Sequence, residues 1–305
     1  MSGFVGGSLT SSIRGTRPIV SGHNGERRPL ALLFMVALWL SLFIAIGVLV
    51  TLIVTIIING QGQFSWRLFS EYPSSDPDLA GARPAIFGSA WVIGVTAFMT
   101  VPVGIAAAVH LEEFADKKNW LNKLIELNVQ NLAAVPSIVY GLLALAFLSM
   151  MGVRDKNIVI AGALALSLLI LPVIIIATRE ALRSVPDEIR QGSLALGATQ
   201  WQTVWRQVLP SAVPGISTGA ILALSRALGE AAPLLVLGAL VFVSFDPNGL
   251  LSGYTTLPIQ IFNWTGRPQE GFHQLAAATS VLLLGLLVVM NALAIFIRNK
   301  FQKRW

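Results

Sequence analysis

Leu222-Ala-Leu-Ser-Arg226-Ala-Leu-Gly229-Glu230-Ala-Ala-Pro233 sets two ionisable residues inside a run otherwise built from Leu, Val, Ala and Gly. Residues four apart on a helix project from one face about one turn apart, so Arg226 and Glu230 either pair or close jointly on something between them. On the insertion scale the two charges cost roughly 6 kcal/mol at mid-helix. The eleven Leu, Ile and Val between Val213 and Leu240 return about 5 kcal/mol. The segment barely inserts alone and needs neighbours or water around the pair. Pro233 lacks the N–H that would bond the Gly229 carbonyl, so a kink beside Glu230 is expected. A purely structural ion pair is the alternative reading, although Arg before Glu is the poorer order for stabilising a helix.

The rest of the chain agrees with a membrane setting: 54% of it is hydrophobic and only 12% charged. Six apolar runs, at about 30–58, 84–110, 128–151, 158–178, 211–240 and 273–297, are near or above the ~20 residues that cross a bilayer. A helix satisfies its own backbone in lipid, so the expectation is an all-α integral membrane protein with six transmembrane helices over 29–305. Taking the N-terminus and every second loop as one side places fifteen Lys and Arg there and five on the other, with Arg226 left inside a span. Both termini are therefore expected in the cytoplasm of a multi-pass plasma-membrane protein. The formal net charge of +6 follows from this bias and argues for no nucleic-acid partner.

With no Cys there is no disulfide, thiolate chemistry or Cys-ligated metal, and His23, His110 and His273 are scattered as boundary residues. No metal, cofactor or catalytic residue is expected. Residues 1–28, rich in Gly, Ser and Arg, read as a disordered cytoplasmic tail. The first apolar run is too long for a signal-peptide core and is expected to remain as an anchor, tilted or projecting beyond the bilayer. The outside segment 59–83 has the punctuation of an irregular loop, with Phe64, Trp66, Phe69 and Tyr72 as an interfacial lip or a partner surface. His110 to Glu126 reads as a solvated helical segment on the inside. The third run opens with Asn128, Gln130, Asn131, Pro136, Ser137 and Tyr140, a set equally suited to helix packing and capping or to lining a pore.

The loop from about 180 to 210 is the longest on the inside. Pro186, Asp187 and Glu188 suit the first turn of a short helix. Gly197 offers a break and a close approach between two short helices, and Trp201, Val204, Trp205 and Val208 recur at i, i+3, i+4 and i+7 as an apolar stripe on the second. An interfacial helix on lipid explains the stripe alone. Docking of a cytosolic partner explains the stripe and the helix–glycine–helix form together.

That loop resembles the signature of importer permeases of the ATP-binding-cassette (ABC) type: Glu-Ala-Ala, three residues, Gly, nine residues, Ile, any, Leu-Pro. Gly197 and Leu209-Pro210 match it at that spacing, and Ala195-Leu-Gly197-Ala198-Thr fits the family's common form, while Gln191-Gly192-Ser193 replaces Glu-Ala-Ala and Gln207 stands at the Ile position. Val135-Pro-Ser-Ile-Val-Tyr-Gly141, Ser225 to Pro233, Leu257 to Trp264 and Arg267 to His273 look like the phosphate-specific permeases of the PstA type rather than the PstC type. The resemblance implies a type I ABC importer permease fold with a cytoplasmic coupling-helix loop. It also implies a PstC-type partner subunit in a heterodimer, two copies of a cytosolic ATPase, and an external phosphate-binding protein. Gly197, Ala198, Trp201, Trp205, Leu209 and Pro210 would then contact the ATPase, and Arg226, Glu230, Asn131 and Tyr140 would line the substrate path.

Physical chemistry agrees with a phosphate path. Arg offers a planar fork of donors to an oxyanion, and a nearby carboxylate accepts from a P–OH group that sulfate lacks. The chain has no Gly-rich loop ending in Gly-Lys-Ser/Thr, so ATP hydrolysis would belong to a separate subunit. The rival from another class is a self-sufficient secondary transporter or channel, with Arg226 and Glu230 as an ion or proton relay. It leaves the loop at 180–210 without a purpose. A membrane hydrolase lacks a Ser or Asp nucleophile gathered with a His base in one segment.

Overall fold

The computed structural model describes residues 29–116, 118–239 and 242–301; the expected tail at 1–28 lies outside them. Twelve helices make up most of the described chain: α1 Pro29–Gly60, α2 Trp66–Ser70, α3 Arg83–Val109, α4 Trp120–Leu132, α5 Ser137–Met150, α6 Val159–Arg183, α7 Asp187–Ala195, α8 Gln200–Thr203, α9 Leu209–Leu228, α10 Ala232–Val236, α11 Leu257–Thr265 and α12 Glu270–Phe301. Pairing of strand type among the described residues is limited to an antiparallel bridge between Ile158 and Gly253. The chain divides into two units, Met1–Leu52 and Ile53–Trp305. Between Leu32 and Leu52 the large apolar side chains of α1 are exposed all round the helix.

In the second unit α6 is the central helix, with Leu166, Ile170, Ile174 and Leu182 almost fully buried. Small residues let its neighbours approach. A methyl group at Gly219 of α9 would come 2.6 Å from the Ala177 Cβ, and one at Gly215 would come 2.8 Å from the Ala181 Cβ. Two glycines four apart on α9 thus face two alanines four apart on α6, the small-residue packing that lets membrane helices come close. On the α3 side a methyl at Gly104 would meet the Ile174 side chain at 2.7 Å. α3 and α6 run on as helices through Pro102 and Pro172.

Two expected spans differ in form. The run at 128–151 is split into α4 and α5, which meet at 111°. Pro136 has no N–H to continue α4 and stands at the N-cap of α5, and the Tyr140 hydroxyl donates to the Leu132 carbonyl at 2.6 Å, satisfying an acceptor at the end of α4. Among the described residues five helices are long and apolar enough to cross a membrane, or six if this bent pair is one span. The run at 211–240 is broken as well. α9 stops at Leu228, where the Gly229 and Glu230 amides turn back to the carbonyls of Arg226 and Ala227. Pro233, expected to kink a continuous helix, instead lies in the first turn of α10, where a missing N–H costs nothing. Gly238 closes α10 with φ of 79°.

Candidate functional site

The break between α9 and α10 holds the Arg226–Glu230 pair. Arg226 Nε stands 3.7 Å from Glu230 Oε1, with the Arg226 side chain 52% exposed and that of Glu230 21% exposed. At that separation and exposure the pair contributes little to stability, on the order of 0–1 kcal/mol. Both partners keep unused hydrogen-bonding capacity, since a guanidinium has five donors and a carboxylate about four lone-pair sites.

The wall beside them is α5. A methyl group at Gly141 would come 2.7 Å from the Pro233 carbonyl oxygen and 2.8 Å from its Cα, so the backbone after Glu230 lies directly on α5. Tyr140 is buried at the same contact, in one apolar cluster with Ala223, Ala227 and Leu234, of which Ala227 directly follows Arg226 and Leu234 lies just beyond Glu230. The structure therefore brings Tyr140, Arg226 and Glu230 together. Because the Tyr140 hydroxyl proton is committed to the Leu132 carbonyl, this residue shapes the wall. Asn131, expected beside them, is exposed on α4, one residue before Leu132. Gly141, whose missing side chain permits the contact, was not singled out from the sequence.

The loop on the other side of Arg179 is built as α7, a turn and α8. Pro186, expected in the first turn of α7, stands just before it at the N-cap position, and Asp187 and Glu188 fill that turn as expected. Gly197 has φ of 85°, a left-handed conformation that glycine adopts without strain. Nothing lies within 4 Å of a Cβ placed there, so the turn, and not a close approach of two helices, is what requires glycine. Thr199 and Gln202 form a reciprocal capping box that starts α8. The second helix is not separate: it passes through a π-helical turn at Val204–Val208 into α9. The expected stripe divides there. Val204 and Val208 are buried, Val208 against Leu182, Val185 and Ala212, while Trp201 and Trp205 are 60% and 50% exposed with ring centroids 5.5 Å apart. Leu196, at 91% exposure, shares a groove with Gly192, Ser193, Ala198, Gln202 and Gln207. Leu209 is half-buried and Pro210 exposed, both in the first turn of α9.

A second π-helical turn, His110–Phe114, follows α3 and carries two adjacent glutamates that sequence reasoning took as part of a solvated segment. Glu112 meets Arg179 Nε at 3.1 Å and Arg183 Nε at 3.0 Å, and Glu126 of α4 meets Arg179 Nη2 at 2.8 Å. Glu113 takes Arg190 Nη2 at 2.8 Å and Nε at 3.3 Å, a two-pronged pair. The Glu113 hydrogen bond raises the Arg190 pKa above its ordinary value against the opposing effect of burial. An acidic pair followed by basic residues on two later helices was visible in the sequence, but their convergence depends on the fold.

A bundle of long apolar helices, one interrupted beside an Arg–Glu pair and joined through a helix–turn–helix loop, is the build of a transport permease. The chain belongs to the binding-protein-dependent transport system inner membrane components, the permeases of ABC transporters, whose family model matches residues 100–305. It is 36% identical to the probable ABC transporter permease protein YqgI of Bacillus subtilis, over 73% of this chain and 74% of that one. It is 34% identical to the phosphate transport system permease protein PstA of Mycobacterium leprae, over 85% and 86%. The fold matches a crystal structure of a bacterial alginate ABC transporter in complex with alginate pentasaccharide-bound periplasmic protein, with a TM-score of 0.61 at 16% identity, over 90% of this chain and 94% of that one. Family membership disfavours the self-sufficient transporter or channel.

Proposed function

We propose that this chain is the PstA-type permease subunit through which inorganic phosphate enters the cytoplasm, with the Arg226–Glu230 pair on the path. The observation that carries the reading is the half-exposed guanidinium of Arg226 at a helix break inside an apolar run, since a charge left in that position requires water, a substrate or a polar partner. The phosphate assignment rests on the PstA relatives. Arg226 supplies the donor fork, and Glu230 accepts from the protonated oxygen of phosphate and balances Arg226 between turnovers. Tyr140 and Gly141 hold the wall, and Asn131 lies toward one end of the path.

The same reading places both termini in the cytoplasm, a PstC-type permease against this one, and a phosphate-binding protein outside. Two ATPase copies act from the inside, one of them on the groove of α7 and α8. Gly197 and Ala198 form the turn there, Trp201 and Trp205 offer exposed rings, and Leu209-Pro210 joins the loop to α9. Uptake of labelled phosphate by the reconstituted complex tests it. ATP-dependent uptake that unlabelled phosphate suppresses and sulfate does not is expected. Equal competition by sulfate would overturn the phosphate assignment, and uptake by this chain alone would overturn the subunit assignment.

A further inference from the structure

The π-helical turn after α3 is the point where the inside elements meet. Its two glutamates diverge: Glu112 holds Arg179 and Arg183 at the end of α6, and Glu113 holds Arg190 in the middle of α7. Arg190 reaches further, donating from Nη1 to the Val185 carbonyl at 2.7 Å and from Nη2 to the Leu182 carbonyl at 2.9 Å, so it also closes the end of α6. The Gln200 side chain of α8 donates to the Glu113 carbonyl, and the Phe114 ring lies 5.8 Å from that of Trp201. α4 joins through Glu126. Arg179, Glu112 and Glu113 are each less than a tenth exposed, which shields these contacts from the screening that weakens surface pairs.

A two-pronged Arg–carboxylate pair fixes direction as well as distance, because both groups are planar. A displacement of α7 is therefore resisted by the turn that follows α3, through Glu113, and by the carbonyls of Leu182 and Val185 at and just beyond the end of α6. We infer that Glu113 and Arg190, with Glu112 behind them, form a rigid joint that passes movement of the α7–α8 loop into α3 and α6. They are positioning residues for the coupling of ATP use to transport. The consequence for transport rests on the reading of this loop as the ATPase contact; the rigidity of the joint does not.

Because the chain has no Cys, spin labels can be set uniquely in it at Phe98→Cys on α3 and Gln191→Cys on α7, both exposed positions, in the full complex with cysteine-free partner subunits. A narrow label-to-label distance, the same without nucleotide and with trapped ATP, is expected. Glu113→Gln should broaden it and lower phosphate moved per ATP hydrolysed by roughly five- to tenfold. Glu113→Asp, which keeps a carboxylate for Arg190 and leaves that residue's bonds to the Leu182 and Val185 carbonyls in place, should retain more of both than Glu113→Gln in complexes that hydrolyse ATP, an outcome that loss of folding does not give. A broad distance in the parent protein, or Glu113→Gln with the narrow distance and full stoichiometry, would overturn the joint. Separately, Leu196→Cys should cross-link to the ATPase. Failure there overturns the docking reading alone and leaves the distance measurement to judge the joint.

Discussion

The Pro233 backbone lies on the bare face of Gly141, with its carbonyl oxygen 2.7 Å from where a side-chain carbon would begin. Neither the backbone of α5 nor the first turn of α10 can yield without opening the α9–α10 break. Gly141→Ala should lower stability by about 1–3 kcal/mol, as overpacking does, and reduce uptake per assembled complex. A thermal unfolding scan of the purified complex checks the first effect and a filter uptake assay the second. Unchanged values for both would show that α5 is free to withdraw.

The pair beside that contact is separated from its structural alternative by specific uptake. Arg226→Lys keeps the charge and loses the fork, so uptake should fall about tenfold, the weight of one charged hydrogen bond at roughly 1.5 kcal/mol. Glu230→Gln should impair uptake as well, because an amide no longer balances Arg226. A structural pair predicts the opposite pattern: single changes reduce the amount of complex, and a Leu/Met double replacement restores it. Normal uptake per complex in that double variant would remove the pair from the mechanism.

Gly197 is tested through its backbone angle. A left-handed conformation costs an ordinary residue roughly 1–2 kcal/mol, and Asn is the residue that tolerates it best. With open space around the position, Gly197→Asn should couple ATP hydrolysis to uptake almost normally, whereas Gly197→Val and Gly197→Arg should uncouple them. Equal defects in Asn and Val variants would mean that the ATPase needs a bare backbone there and that the turn conformation is incidental.

The α6–α9 seam offers a compensation test. Gly219→Ala places a methyl 2.6 Å from the Ala177 Cβ and should destabilise the protein by about 1–3 kcal/mol. Adding Ala177→Gly removes the opposing carbon and should recover most of the loss, since residues in contact are not additive. Absence of recovery in detergent melts would refute the seam.

Gln260 on α11 is only 1% exposed, and neither amide atom has a hydrogen-bond partner among the described residues. An unsatisfied buried amide costs about 1–3 kcal/mol, so Gln260→Met should raise the melting temperature. A lower one would show that the amide holds a water or a ligand group.

The long apolar runs made four crossing helices legible, because lipid leaves a helical span little choice. The two broken runs were less legible for one shared reason. Hydropathy sums side chains over a window and does not register that Pro136 and the Gly229 turn end hydrogen-bonding within it. The Arg226–Glu230 pair was readable from spacing alone, even though the helix assumed for that spacing stops at Leu228. Gly141 and the Glu113–Arg190 pair were not readable, since each acquires meaning from a residue 77 or more positions away in the sequence or from the path of a backbone that no pattern announces. The loop stripe was half readable: its four members are apolar, but the π-helical turn sends the valines inward and leaves the tryptophans out.

That turn decides where a change of chain length can be absorbed without turning the loop. A π-helical turn holds one residue more than the α-helix it interrupts, and each α-helical residue advances the chain by about 100°. Removing a single residue between Val204 and Val208 would let α8 and α9 join as one regular helix with Trp201 facing as before, because the wide turn already absorbs the extra residue, whereas removing one from α9 itself would swing Trp201 around the axis by that angle. The facing of the loop is thus indexed by where a residue is removed: within the wide turn a deletion is taken up, and within α9 it acts as a rotation.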